Sequence, residues 1–156
     1  MSRPFQTSET LKNLEAAFAG ESMANRKYLF FARKARALGN EEIAELFEKT
    51  AEQETEHAFA HLELVLSKET NLTVERLLEL AEEGERYESL QMYPAFERKA
   101  LEEGDAASAE EFREQAQESN VHAELFSKAA KRFRALKKVE GIHADRYKTA
   151  RENLTK

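Results

Sequence analysis

A chain of 156 residues is long enough for one domain with its own core. It contains no cysteine, which excludes disulfides, iron-sulfur clusters, thiolate zinc sites and thiol catalysis. Thirty acids against 24 bases give a formal charge of -6, and interspersion of the two signs argues against nucleic acid as a partner. The exception is the stretch 128 to 156, with ten Lys or Arg against three acids, which leaves positions 1 to 127 at -13; a solvated helix surface accounts for it. The N-terminus has no apolar signal core and no apolar run approaches ~18 residues, so a cytoplasmic location without a membrane span is expected.

Five Gly and two Pro in a chain rich in Ala, Leu, Glu, Lys and Arg predict an all-α fold. The few breakers mark the boundaries: Gly39-Asn40, the "SKETNLT" stretch at 67 to 73, and Gly104-Asp105. Four amphipathic segments result, residues 8 to 38, 40 to 67, 73 to 103 and 106 to 138, followed by a short helical piece. Pro94 falls inside the third, and because it lacks an N-H a kink or local widening is expected there. Short first and last connections predict an antiparallel four-helix bundle in a single domain, 1 to 156. The bundle is expected over about 8 to 138, with a long central crossover and a C-terminal tail helix over about 139 to 154. Phe30, Phe31 and Phe59 are expected as core aromatics.

Two Glu-x-x-His pairs occur, Glu54/His57 and Glu140/His143, but in so acidic a chain about one is expected by chance. Height along the helices is more informative, since each residue rises about 1.5 Å. Counted from Gly39, Glu21 stands at -18, Glu54 at +15 and His57 at +18. The pattern recurs when counted from Gly104: Glu88 stands at -16, with Glu85 one turn away on the same face, and His122 at +18. The first group also sits on apolar stripes, Leu14/Phe18/Glu21 and Phe47/Thr50/Glu54/His57. Carboxylates on such stripes lose hydration unless paired or bound to cations. Several Glu and two His inside a bundle are the ligand set of a di-iron or di-manganese carboxylate centre. The alternative is a stripe slightly misdrawn, with the acids facing solvent.

Three segments in order, "AAFAGESMANRKYLFFA", "KTAEQETEHA" and "EGERYESLQMYPAF", resemble the rubrerythrin family of ferritin-like proteins, and more closely its minimal symerythrin-like members lacking a rubredoxin domain. The resemblance spans residues 8 to about 127. It implies a ferritin-like bundle with two iron ions, manganese being possible, and places Glu21, Glu54, His57, Glu85 and Glu88 on ligand positions. Tyr28 and Tyr93 fall on tyrosines that hydrogen-bond ligand carboxylates in the family. Glu85 and Glu88 are the expected catalytic pair, since the resemblance implies that one such Glu moves on and off iron with redox state. The implied activity is reduction of hydrogen peroxide with an external electron donor. Alternatives are a ferritin-like ferroxidase or storage protein and an O2-consuming oxidase. A homodimer is expected.

The fourth segment departs from the family pattern. Where the family has Glu-x-x-His, the chain reads "QESNVHAELF", with Ser119 three residues and Glu118 four residues before His122. Glu118 can serve as a ligand with His122 through a π-bulge or a rotated helix, or the site is one carboxylate short. A second copy of this segment, "KRFRALKKVEGIHADRYKTA" at 131 to 150, keeps an intact Glu140-x-x-His143. Along a continuous helix the step from His122 to His143 covers about 31 Å, so the later pair reads as a tail or surface feature and His122 with Glu118 is the expected pair.

Overall fold

The structure is a computed structural model that describes residues 8–69 and 71–154. Its elements are α1 (Glu9–Ala37), α2 (Glu41–Leu66), α3 (Val74–Tyr87), a π-helical turn (Glu88–Met92), α4 (Tyr93–Glu103) and α5 (Ala106–Leu154). The described residues contain no strand, in accord with the all-α reading. None of their helices is long and apolar enough to cross a membrane. The chain divides into two compact units at residues 70 and 71. The first is the hairpin α1–α2; the second folds α3 and α4 back on α5.

Both hairpin turns use one device. After α1, Gly39 takes a φ of 81°, and the N-H groups of Gly39 and Asn40 return to the carbonyls of Arg36 and Ala35. After α4, Gly104 takes a φ of 78°, and Gly104 and Asp105 return to Leu101 and Ala100. This paired closure satisfies carbonyls that a helix end otherwise leaves open, and the positive φ suits Gly because it has no Cβ. The next residue caps the following helix: Asn40 Oδ1 accepts from the Ile43 N-H at 3.1 Å, and Asp105 Oδ1 from the Ser108 N-H at 3.0 Å. Ser8 and Thr73 cap α1 and α3 in the same way. The connection between the two hairpins lies between the C-cap of α2 at Ser67 and the N-cap of α3 at Thr73.

The widening expected near Pro94 is the π-helical turn just before it. The Tyr93 N-H reaches the carbonyl of Glu88, five residues back. Pro94 has no N-H to offer Leu90, so the ladder loosens in the preceding turn.

Alanine lines the contact inside each hairpin. On α2 the buried residues are Ala44, Ala51 and Ala58, seven apart; on α5 they include Ala109, Ala123 and Ala130, on the same heptad. Small side chains at this repeat let two antiparallel helices approach closely along one seam. The larger apolar groups lie off the seam. Phe30, Phe31 and Phe59, expected in the core, are exposed on their helices. Phe31 and Tyr28 nevertheless pack on Phe47, with ring centroids 5.5 and 6.0 Å apart.

The C-terminal extension is not a separate short helix. It continues α5 without a break to Leu154, because "ALKKVEGIHADRYKTA" has neither Pro nor a stop signal strong enough to end it. Arg134 ties α5 to the start of α3 through Glu75 and Glu79, the latter at 2.8 Å. Beyond it, residues 137–153 are exposed, Glu140 and His143 among them.

Candidate metal centre

On the first hairpin, α1 supplies Glu21 and α2 supplies Glu54 and His57. One carboxylate oxygen from each Glu and a ring nitrogen of His57 all lie within 4.8 Å of one another. Three residues of helix place Glu54 and His57 on one face, and His57 Nδ1 lies 3.0 Å from Glu54 Oε2. The Glu54 side chain is only 17% exposed and His57 is 60% exposed, so the carboxylates sit inward and the imidazole closes the outer side.

One turn along from Glu21, Asn25 holds the helices in register. Its amide donates to the Ala51 carbonyl at 2.6 Å and to Thr55 Oγ1 at 2.9 Å. The sequence reading overlooked Asn25. Its signal was present: it continues the stripe Leu14, Phe18, Glu21, where an unpaired amide is costly.

On the second hairpin, α3 and the π-helical turn supply Glu85 and Glu88, and α5 supplies His122. His122 Nδ1 lies 3.4 Å from Glu85 Oε1. The other oxygen of the same carboxylate, Glu85 Oε2, is buried and has no hydrogen-bond partner. A buried carboxylate oxygen left unpaired costs free energy that a cation at that point would recover. Glu88 Oε2 accepts a hydrogen bond from the Ser119 hydroxyl at 3.3 Å.

Ser119 is buried at 5% exposure, while Glu118 is exposed one position away. No π-bulge separates Glu118 from His122, since α5 is α-helical throughout. In this hairpin the α5 residue that meets Glu88 is therefore Ser119, not Glu118. The seam sets this rotation: Ser119 stands four residues before buried Ala123, and a neighbour about 100° around the axis points away.

Tyr28 and Tyr93 are half-buried, and Tyr93 packs against Phe112 and Phe96 at 6.3 and 6.4 Å. Burial pushes the Tyr93 phenol above its ordinary pKa, and the carboxylates of Glu88, Glu85 and Glu111 add to the effect.

Adding 65 to a position in the first hairpin gives its counterpart in the second. Gly39 matches Gly104, Asn40 matches Asp105, Tyr28 matches Tyr93, Phe47 matches Phe112, Ala51 matches Ala116 and His57 matches His122. Glu21 corresponds to Glu85 once the extra residue of the π-helical turn is allowed for. Each hairpin thus presents two carboxylates and one imidazole. Hard oxygen donors with imidazole suit iron or manganese, and the orphaned oxygen of Glu85 marks a position where positive charge fits.

The Rubrerythrin family profile matches residues 12–130. The chain is 40% identical to nigerythrin of Nitratidesulfovibrio vulgaris over 75% of its own length and 63% of that protein, so it spans less than two thirds of this relative. It is 37% identical to rubrerythrin of Porphyromonas gingivalis over 94% of its length and 68% of that protein. Among solved structures, nigerythrin in its fully reduced, all-ferrous state matches at 38% identity, covering 82% of this chain and 69% of the other, with a TM-score of 0.41. With this extent of match, the chain belongs to the rubrerythrin family.

Proposed function

We propose that the chain is a rubrerythrin-type peroxide reductase in which Glu21, Glu54 and His57, together with Glu85, Glu88 and His122, hold two iron ions. The observation that carries this reading is the convergence of Glu21, Glu54 and His57 within 4.8 Å, supported in the second hairpin by the 3.4 Å approach of His122 to Glu85 and the unpartnered buried oxygen of that carboxylate. Two ferrous ions held there would supply one electron each, the two electrons needed to convert hydrogen peroxide and two protons into two waters.

The protein groups account for the rest. Asn25 and the alanine seam fix α1 against α2, so that Glu21 and Glu54 face one point. His57 and His122 are the more exposed members of their groups within each hairpin. Glu88, on the loosened turn before Pro94, is the carboxylate best able to change position and to carry protons, with Glu85 one turn before it on α3. The 156 residues hold no cysteine, in keeping with electrons supplied from outside this segment. We assign manganese as the alternative metal and a homodimer as the assembly.

Anaerobic stopped-flow oxidation of the ferrous protein tests the reading. Hydrogen peroxide is expected to oxidise it faster than O2. Oxidation by O2 at an equal or greater rate would replace it with a ferroxidase or oxidase function.

A further inference from the structure

Two exposed helix faces away from the metal-binding groups carry opposite charge. The helix α2 holds eight acids against one base, Lys49. Four of the acids, Glu45, Glu52, Glu56 and Glu63, follow one another at seven, four and seven residues, which sets them in one row along the helix, and all four are exposed. The row faces away from the buried seam of Ala44, Ala51 and Ala58, and the exposed Phe59 flanks it. On α5, Lys128, Lys131, Lys138 and Arg146 share one exposed face at spacings of three, seven and eight residues. Ala135, Val139 and Ile142 lie on the same face, the last two exposed at 47% and 44%. Among the described residues none of these four cations is in an ion pair, and of the four carboxylates only Glu45 is, with Lys49 at 3.9 Å. A solvated surface accounts for the cations singly, but not for the apolar residues seated among them.

The two rows match in length, each spanning 18 residues or about 27 Å of helix. From either end the carboxylates stand at 0, 7, 11 and 18, and from Lys128 the cations stand at 0, 3, 10 and 18. Three of the four cations therefore fall within one residue of a carboxylate height, whichever way the helices run. Counted from their own turns the rows are offset, the carboxylates 6 to 24 residues after Gly39 and the cations 24 to 42 after Gly104. A second copy is free of this offset. Resting on the homodimer assigned above, we propose that this face of α5 docks on the acidic row of α2 in a second copy of the chain. A two-fold axis makes the contact twice, each α5 on the other copy's α2. The opposed charges set partner and register, and Val139, Ile142 and Phe59 supply apolar contact between them.

The test is sedimentation equilibrium of the iron-loaded protein at low and high salt. The variants are Lys128→Glu with Arg146→Glu, and Glu45→Lys with Glu63→Lys; circular dichroism and elemental analysis check that each remains folded and keeps its iron. The wild type is expected to be a dimer that salt weakens. Each double variant should raise the dimer dissociation constant about 10-fold or more, because like charges then meet. An equal mixture of the two variants should recover the wild-type affinity, since every contact in a mixed pair again joins opposite charges. If the wild type is a dimer that salt does not weaken, or either variant dimerises like it, or the mixture is no tighter than the variants alone, the docking surface is overturned and the homodimer stands. A monomeric wild type would overturn both.

Discussion

Replacing His57 with Ala separates a metal ligand from a surface histidine, because the two roles predict different effects with and without metal. The ring is 60% exposed, and its contact is with Glu54, so truncation should change metal-free stability by no more than about 0.5 kcal/mol. Metal changes the comparison. An ion present at about 100 times its Kd stabilises the folded state by about 2.7 kcal/mol. At about 2–4 °C per kcal/mol for a chain of this size, that is roughly 5–11 °C per ion. Losing the imidazole should weaken its ion at least as much as losing an orienting partner, by about 100-fold. The same ion concentration then equals the new Kd and stabilises by only about 0.4 kcal/mol. The variant should therefore lose about 2.3 kcal/mol of metal-dependent stability, or roughly 5–9 °C. Thermal melts followed by circular dichroism, with and without Co(II), measure both quantities. Equal metal-induced shifts in the wild type and in His57→Ala would refute the reasoning, as would a metal-free variant that melts as far below the wild type as the metal-bound one.

Three further outcomes are expected. His122→Ala should lose metal and peroxide turnover, whereas His143→Ala, on the exposed extension of α5, should retain both; elemental analysis and turnover on the pair decide it. Ala51→Leu should overpack a fully buried seam position and destabilise the protein by about 1–3 kcal/mol, read as a lower melting temperature. Because the folded pKa of Tyr93 is raised, its contribution to stability is intact below the ordinary value of about 10 and is lost as pH rises through the folded value. Phenolate absorbance should show a late component that Tyr93→Phe removes, and a titration that Tyr93→Phe leaves unchanged at its alkaline end would contradict this.

The turns were legible because they depend on local chemistry: a Gly in the left-handed region followed by Asn40 or Asp105 as a cap. Pro94 likewise announced a disturbed turn, although not that it would place Glu88 at the start of five π-helical residues. The convergence of Glu21, Glu54 and His57 followed from helical periodicity and distance from Gly39. The partner of Glu88 on α5 did not, because a single position decides whether Glu118 or Ser119 faces α3. The rotation of α5 is set by Ala109, Ala123 and Ala130, a heptad of small residues that counts weakly in a search for large apolar stripes. The same preference for large residues misplaced Phe30, Phe31 and Phe59. Asn25 was missed because its bonds to Ala51 and Thr55 join positions far apart in sequence. The central connection was marked by its polar composition at 67 to 73, where α2 ends and α3 begins.

The central proposal is that Glu21, Glu54 and His57 and, from the second hairpin, Glu85, Glu88 and His122 bind two iron ions per chain. Iron per chain after anaerobic loading with Fe(II) and removal of excess metal, determined by elemental analysis, tests it most directly. The account predicts about two ions per chain. A value near one or zero would contradict it.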